Sequence, residues 1–405
     1  MSRKELIIIN VICILAYALF WWALEFELSK EVVLSSNDSN SYLAVTDWIF
    51  GGEVTGHTGK RPILFPLLMG LPYKLFGLSG IWFLQFLFWL VGINLCVHAI
   101  TKWTNNKIYG WIVLTILLSN LSLMAMTFHA LTEVPTFFFL SVLLYFIVYK
   151  IDKFKTIYFI HGVLLILVLL TLIKGAFYYL VLLCIAILVL FYGRQYLKTP
   201  RSLFFFGLIL LPLLGQMTLV KSLHGEFVVS TIGSDTFKNY YFARAVTEIE
   251  GRDRAEVLAE VENLNSNEIQ SYILDHKRGF YNQFTRNIRE NVTGESVYLD
   301  LGKATRSPKA GSYMHSMNEL SYYIHWFGLL AILWSLIISF RAKNFLAVFQ
   351  IVLLSSLTYY YILTTGLSFW QGDRLVLPII AIWSTLYVAM IASLIRKIPL
   401  KSTTT

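Results

Sequence analysis

The chain has 405 residues, of which 57% are hydrophobic and 14% are charged, and its formal net charge is +9. Ordinary soluble domains have roughly a quarter of their residues charged, so this composition excludes a typical soluble protein. Nucleic-acid binding is also not indicated, because the sequence offers no soluble basic region with interleaved aromatic residues. The composition therefore predicts a protein whose main partner is the lipid bilayer.

Apolar stretches long enough to cross a bilayer recur along the whole chain. They cover residues 6–24, 79–100, 108–128, 134–149, 157–173, 176–192, 203–220, 322–340, 345–365 and 375–395. The first stretch follows Arg3 and Lys4 and has no small-residue cleavage site after it, so it is predicted to be a retained helix. We predict an all-α, polytopic membrane protein with about ten transmembrane helices.

The distribution of charge predicts the orientation of these helices. An even number of spans places both termini on one side of the membrane. If that side is the cytoplasm, the cytoplasmic segments are rich in Lys and Arg and contain only Glu5 and Asp152 as acids. This is the bias expected of cytoplasmic loops.

Two long segments are predicted on the outer side. In the first, residues 25–78, Ser39 to Phe50 is predicted to form a short helix. Pro62 to Phe76 is apolar but rich in proline, which favours a helix in the membrane interface over a span. The second segment, 223–320, contains mixed charges typical of solvated helices, and its part from Asn291 to Met317 is predicted to be a flexible loop.

These features divide the chain into three parts. Residues 1–222 form a transmembrane core that includes the first outer loop. Residues 223–320 form an extracytoplasmic helical insertion, and residues 321–405 form the C-terminal transmembrane helices and a short cytoplasmic tail.

Charged residues in the outer loops are the candidates for chemistry. Asp38 and Arg61 lie in the first outer segment, and the short outer loops add Glu133, Lys174 and Arg374. A carboxylate such as Asp38 can act as a general base toward an attacking hydroxyl, with Glu133 as a possible second acid. The cations can bind a leaving phosphate, and this combination suits transfer of a group from a phosphate-bearing lipid. Possible substrate contacts are Tyr42, His57, His129 and Trp370.

Structural roles are the alternative for each candidate. Asp38 precedes a predicted helix and suits an N-cap, and Glu133 suits the first turn of a span because of the helix dipole. Lys174 and Arg374 can extend to the interface as cations near span ends do. Tyr and Trp collect at membrane interfaces in any case.

Several short motifs carry a family resemblance. They are Asp38 followed by Ser41-Tyr42-Leu43, Arg61-Pro62 with Phe65-Pro66-Leu67-Leu68 and Lys74-Leu75-Phe76-Gly77, Leu131-Thr132-Glu133, and Gly372-Asp373-Arg374-Leu375 with Leu377-Pro378. In this pattern the chain resembles the GT-C superfamily of polyprenyl-phosphate-dependent membrane glycosyltransferases, which includes protein mannosyltransferases and aminoarabinose transferases.

The resemblance implies transfer of a hexosyl or pentosyl group from a polyprenyl-phosphate donor to a lipid, glycan or protein acceptor. The transfer would take place outside the cytoplasm, on the bacterial inner membrane. It implies inversion by a single displacement, with Asp38 as base and Arg374 as ligand of the donor phosphate. Many relatives have paired acids in the first loop, whereas here Ser39 follows Asp38.

Two other functions remain open at this stage. A surface polysaccharide polymerase or ligase also uses lipid-linked glycans, and a flippase would move such a lipid without covalent chemistry. No cofactor is predicted beyond the lipid-linked donor. No pair of His residues has the spacing of a helical metal site, so no metal ligands are proposed and metal dependence is left open.

Overall fold

The computed structural model describes residues 1–153, 156–294, 298–302, 307–368 and 371–396. Within these ranges the chain is helical and forms no strand. The α-helices are α1 Arg3–Leu24, α2 Lys30–Val33, α3 Asn37–Ile49, α4 Leu64–Phe76, α5 Leu78–Thr104, α6 Lys107–Ser119, α7 Leu121–Ala125, α8 Glu133–Lys150, α9 Ile157–Ile173, α10 Tyr178–Lys198, α11 Pro200–His224, α12 Ile232–Thr236, α13 Ala243–Glu250, α14 Arg254–Asn263, α15 Ser266–Asp275, α16 Lys277–Thr293, α17 Ser307–Arg341, α18 Phe345–Thr364 and α19 Ile380–Arg396.

The number of membrane crossings agrees with the prediction of about ten. In the described part of the chain, eight helices are long and apolar enough to span a bilayer. The pair Lys107–Ser119 and Leu121–Phe128, bent by 65°, is a ninth if its two helices form one span. Helix α9 is apolar but shorter, and Lys174 at its end contacts Glu133 at the start of α8. Helices α8 and α9 therefore run antiparallel.

Helices α5 and α8 pack closely at the centre of the molecule. Trp89 and Ile93 of α5 and Leu140 of α8 are fully buried. Gly92 allows the close approach, because a Cβ atom at this position would lie 2.5 Å from the ring of Phe137 in α8. This tight contact fixes the outer end of α8, where Glu133 is located.

The first outer segment folds as predicted into two short helices. The predicted helix from Ser39 to Phe50 corresponds to α3, and Thr46 in it donates a hydrogen bond to the carbonyl of Pro66 in α4 (3.1 Å). Helix α4 buries Phe65 and Met69 against the protein and exposes Leu71 among other apolar side chains. An exposed apolar face suits a helix in the membrane interface.

The outer insertion has a hydrophobic core of its own. Phe242, Val246, Val257 and Phe280 belong to one buried cluster formed by the helices from α13 to α16 and by the helical turn Phe237–Phe242 before them. The insertion is therefore a small helical body, as predicted.

One boundary differs from the prediction. The segment from Asn291 to Met317 was expected to be a flexible loop, and a domain boundary was placed after residue 320. Instead α17 begins at Ser307 and continues without a break to Arg341. The predicted end of the loop at Met317 and the predicted boundary after residue 320 therefore both lie inside this helix. Helix extension from a formed span needs no new nucleus, and Pro308 fits the first turn of a helix.

Candidate active site

Arg374 is the centre of a buried ion-pair network at the ends of the apolar helices that are predicted to face outward. Its Nη2 atom lies 2.6 Å from Oδ2 of Asp38, and its Nε atom lies 2.8 Å from Oε1 of Glu133. Its Nη1 atom donates a hydrogen bond to the hydroxyl of Tyr298 (3.1 Å). One guanidinium group thus joins the first outer loop, α8 and the outer insertion.

Arg61 contacts the other oxygen of the same carboxylate. Its Nη2 atom forms an ion pair with Oδ1 of Asp38, and its Nε atom donates to Oγ of Ser41 (3.0 Å). The guanidinium carbon also lies 4.9 Å from the ring centroid of Tyr42, a cation–π distance. Asp38 is therefore held between two arginines.

Lys174 adds a third cation, which pairs with Glu133. Its Nζ atom lies 3.7 Å from Oε1 of Glu133, which is an ion-pair distance but too long for a hydrogen bond. It also lies 5.6 Å from the ring centroid of Tyr361. Among the described residues, the side chains joined by these ion pairs comprise three cations and two carboxylates, so this set has one excess positive charge.

The two carboxylates differ in exposure, and this difference separates their chemistry. The side chain of Asp38 is 27% exposed, whereas that of Glu133 is 1% exposed. Solvent therefore reaches the carboxylate of Asp38 but hardly that of Glu133. Of the two carboxylates, Asp38 is the better candidate for proton exchange with a substrate.

Local structure explains the position of Asp38. It is the second residue of α3, and the N-cap is Ser36, whose hydroxyl accepts a hydrogen bond from the backbone amide of Asp38 (3.2 Å). The N-cap role that the sequence allowed for Asp38 thus belongs to Ser36. This leaves the Asp38 carboxylate free to contact the arginines.

Glu133 is positioned by the start of α8 and by the loop before it. It is the first residue of α8, where a negative charge is favoured by the helix dipole. Gln85 of α5 donates from Nε2 to the carbonyls of His129 (2.9 Å) and Leu131 (2.8 Å). These two bonds fix the loop that leads into the helix.

The segment that carries Arg374 is anchored through its neighbour Asp373. Oδ2 of Asp373 accepts hydrogen bonds from Oγ of Ser122 (2.5 Å) and from Nδ2 of Asn318 (3.1 Å). The carbonyl of Asp373 accepts from the amides of Val376 and Leu377. Asp373 therefore fixes the turn, and Arg374 extends from it into the network.

The electrostatic environment keeps Asp38 ionised. Burial by itself raises the pKa of the Asp38 carboxyl, but Arg374 and Arg61 outweigh this effect and lower the pKa to about 2. A carboxylate with so low a pKa is a weak base. In this arrangement Asp38 is a counter-ion first, and it becomes a better base only if an arginine turns to another anion.

The four predicted substrate contacts have different surroundings. His129 is buried, its Nδ1 atom lies 2.7 Å from the carbonyl of Val32, and burial lowers the pKa of His129 to about 4. Tyr42 is also buried, beneath Arg61. His57 is exposed in a turn, and none of its contacts with described residues reaches the network. Trp370 lies outside the described residues.

Sequence reasoning did not select three residues that contact or support this site. Tyr298 lies in the insertion far from any motif, and no sequence signal indicates its contact with Arg374. Gln85 was visible as a polar residue within a span, which often marks a buried hydrogen bond. Asp373 belongs to the motif Gly372-Asp373-Arg374-Leu375, but the sequence does not predict it to be a site residue.

The described residues contain no group of three His, Cys, Asp or Glu side chains arranged to hold a metal ion.

Neither a family model nor a curated protein matches the sequence. The structure is similar to the crystal structure of ArnT from Cupriavidus metallidurans bound to undecaprenyl phosphate. That similarity covers 98% of this chain and 79% of the ArnT chain, with 11% sequence identity and a TM-score of 0.41.

Proposed function

We propose that this protein is an integral membrane glycosyltransferase that moves a sugar from a polyprenyl-phosphate donor to an extracytoplasmic acceptor. The observation that carries the proposal is the position of Asp38 between Arg61 and Arg374, on the outer side of the membrane helices. It combines a reachable carboxylate with cations that can bind a phosphate. The proposal needs no cofactor besides the lipid-linked donor.

The charge of the network supports a lipid monophosphate donor. Three cations and two carboxylates leave one positive charge among the ion-paired groups. A sugar linked to a lipid through one phosphate is a phosphodiester with a single negative charge, which balances that excess. A pyrophosphate-linked donor carries more negative charge than this set of side chains compensates.

In the proposed reaction the donor phosphate takes the place of the Asp38 carboxylate on Arg374. Release from this arginine raises the pKa of Asp38, because a counter-charge that favours its ionised form is lost. Asp38 then accepts the proton of the acceptor hydroxyl as the hydroxyl oxygen bonds to the anomeric carbon of the donor sugar. The bond from that carbon to the phosphate oxygen breaks, the phosphate oxygen keeps the bonding electrons, and polyprenyl phosphate leaves as an anion bound to Arg374. A single displacement of this kind inverts the anomeric configuration.

Glu133 and Lys174 have supporting roles in this proposal. Glu133 is too deeply buried to reach the acceptor, and it holds the Nε side of Arg374 so that the Nη side faces the donor. When the phosphate arrives, Lys174 stays beside Glu133 and compensates its negative charge as a point charge at longer range. Arg61 stays with Asp38 and orients the carboxylate.

The test uses purified protein in nanodiscs with a radiolabelled polyprenyl-phosphate sugar and an extract of envelope acceptors. Asp38→Asn is expected to lower kcat by about 100-fold or more, since general bases contribute about that factor. Arg374→Ala is expected to weaken polyprenyl phosphate binding. Asp47→Asn is the control, because Asp47 lies on the same helix and pairs only with the exposed Lys74 among the described residues. Full transfer by folded Asp38→Asn and Arg374→Ala variants would contradict the proposal.

The same preparation separates the two other functions. Transfer only from pyrophosphate-linked glycans would indicate a polysaccharide polymerase or ligase. Movement of a labelled lipid across the bilayer without a covalent product would indicate a flippase.

A further inference from the structure

Helix α16, at the base of the outer insertion, presents a row of buried amide side chains to the segment that carries Arg374. Gln283, Asn287 and Asn291 follow one another at intervals of four residues, so they lie on one face of the helix. All three are buried. Buried amides of this kind need hydrogen-bond partners. Gln283 bonds to Asn287, whereas Asn287 and Asn291 bond to backbone groups of the segment that precedes Arg374.

The contacts of Asn291 connect two points of that segment. Its Nδ2 atom donates to the carbonyl of Thr365 (3.1 Å), and its Oδ1 atom accepts from the backbone amide of Gln371 (3.1 Å). Gln371 is three residues before Arg374. Asn291 therefore bonds both to the end of α18 and to the turn that leads to the arginine.

Asn287 bonds to the first of these points only. Its Nδ2 atom donates to the carbonyl of Gly366 (3.0 Å), and its Oδ1 atom accepts from Nε2 of Gln283 (2.7 Å). Gly366 permits this close contact, because a Cβ atom there would lie 2.5 Å from the ring of Phe284 in α16. The two asparagines thus differ in one respect that an experiment can use, the bond to Gln371.

The burial of Asn291 also bears on a sequence pattern. Asn291-Val292-Thr293 matches the glycosylation sequon, but the Asn291 side chain is fully buried and both of its polar atoms are bonded. Its surroundings are those of a structural amide and not of an exposed acceptor.

We propose that Asn291 is a positioning residue for Arg374, through which the outer insertion sets the place of the arginine that binds the donor phosphate. This inference rests on the proposed function, since it assigns the donor phosphate to Arg374. The insertion has its own hydrophobic core, so α16 is a firm base for the contact. Asp373, held by Asn318 of α17, anchors the other side of the same turn.

The test compares three alanine variants of one helix in nanodiscs. Asn291→Ala removes both of its bonds, and Asn287→Ala removes the bonds to Gly366 and Gln283 but leaves the bond between Asn291 and Gln371. Asn282→Ala changes an exposed side chain of α16. Asn291→Ala is expected to raise the donor KM about tenfold, the effect of losing two net hydrogen bonds. Asn287→Ala is expected to lower Tm about as much as Asn291→Ala does, but with little change in donor KM. The acceptor KM should stay constant in all three.

Two further measurements separate positioning from a general loss of stability. Asn291→Asp keeps the acceptor for the Gln371 amide, so it is expected to recover much of the donor KM. Hydrogen exchange in the segment 365–377 should accelerate in Asn291→Ala and not in Asn282→Ala. If donor KM and exchange in Asn291→Ala equal those of Asn282→Ala, the inference is wrong.

Failure of the proposed function gives a different result. A wild-type protein that neither binds polyprenyl phosphate nor transfers sugar would overturn both the function and the donor role of Asn291. If the wild type is active and exchange accelerates while donor KM stays unchanged in Asn291→Ala, only the positioning role is wrong.

Discussion

Each charged side chain of the site has an opposite charge within ion-pair distance, and this explains how five such groups are held beside a membrane. Moving a charge out of water costs several kcal/mol unless a partner compensates it. Asp38 has two guanidinium partners, and Glu133 has Arg374 and Lys174. An incoming anion therefore has to replace an existing carboxylate partner of one of the cations. Binding of substrate and a change in the strength of the base are therefore linked.

The low pKa of Asp38 predicts a loss of stability in acid. A carboxyl whose folded-state pKa is lowered contributes stability above its unfolded pKa and loses it as the pH falls through the folded value. For Asp38 the unfolded pKa is 3.8 and the folded pKa is about 2. The contribution to stability, about 2 kcal/mol, is therefore lost between about pH 4 and pH 2. Thermal unfolding in detergent should show a steeper acid fall for the wild type than for Asp38→Asn. Asp47→Asn, on the same helix, should keep the wild-type slope.

The buried pair of Glu133 and Lys174 predicts a strong coupling in a double-mutant cycle. Glu133→Gln leaves Arg374 and Lys174 without their buried anion and is expected to cost about 3 kcal/mol of unfolding free energy. Adding Lys174→Met removes one uncompensated cation and should recover about 1 kcal/mol or more. The exposed pair of Asp47 and Lys74 is the control, with an expected coupling below about 1 kcal/mol. Additive losses at the buried pair would contradict the proposed charge balance.

At the scale of elements, the site depends on amide side chains that fix loops between helices. Gln85 of α5 holds the loop before α8, and Asn291 of α16 holds the turn before Arg374. Neither residue carries charge or contacts the network directly. Both satisfy backbone groups that a loop at a membrane surface would otherwise leave without partners.

Replacement of Gln85 tests this view at α8. Gln85→Leu leaves the carbonyls of His129 and Leu131 without their buried donor, and the expected cost is about 2 kcal/mol of unfolding free energy. Because the loop leads to Glu133, transferase activity should fall as well. Gln350→Leu is the matched control, since its buried amide nitrogen has no hydrogen-bond partner among the described residues. A drop in melting temperature equal to that of Gln350→Leu would rule out the role of Gln85.

At the scale of the whole molecule, the site defines the sidedness of the chain. Asp38 follows α1, Glu133 begins α8, Lys174 follows α9, and Arg374 lies between α18 and α19. Their contacts place these four loops on one side of the membrane. From the distribution of Lys and Arg we predict that this side is the exterior and that both termini lie in the cytoplasm.

Cysteine labelling tests that orientation. Gly56→Cys introduces a thiol in the exposed turn of the first outer loop, and Ala342→Cys introduces one between α17 and α18. A membrane-impermeant maleimide is expected to label the first in intact spheroplasts and the second only after permeabilisation. The native thiols Cys13, Cys96 and Cys184 are buried, so the wild type should give little background. The opposite labelling pattern would reverse the orientation.

Much of the architecture could be predicted from the sequence, because bilayer thickness sets the length of a span and charge bias sets its direction. The two helices of the first outer loop were predicted from proline placement and capping residues. The start of α17 at Ser307 was not, since Gly, Ser and Pro in that region also suit a loop. Local composition does not show that a helix will extend outward from a span.

By itself, the sequence determined an all-helical membrane protein with charged outer loops, since hydropathy and charge act over short stretches of chain. It named Asp38, Glu133, Lys174 and Arg374 but not their partners. Only the tertiary structure decided that Arg374 lies between the two carboxylates, that Glu133 is buried, that Tyr298 bonds to the arginine, and that Asn291 bonds to the turn before it. Those contacts join residues up to 336 positions apart. They arise from helix packing, which no local pattern specifies.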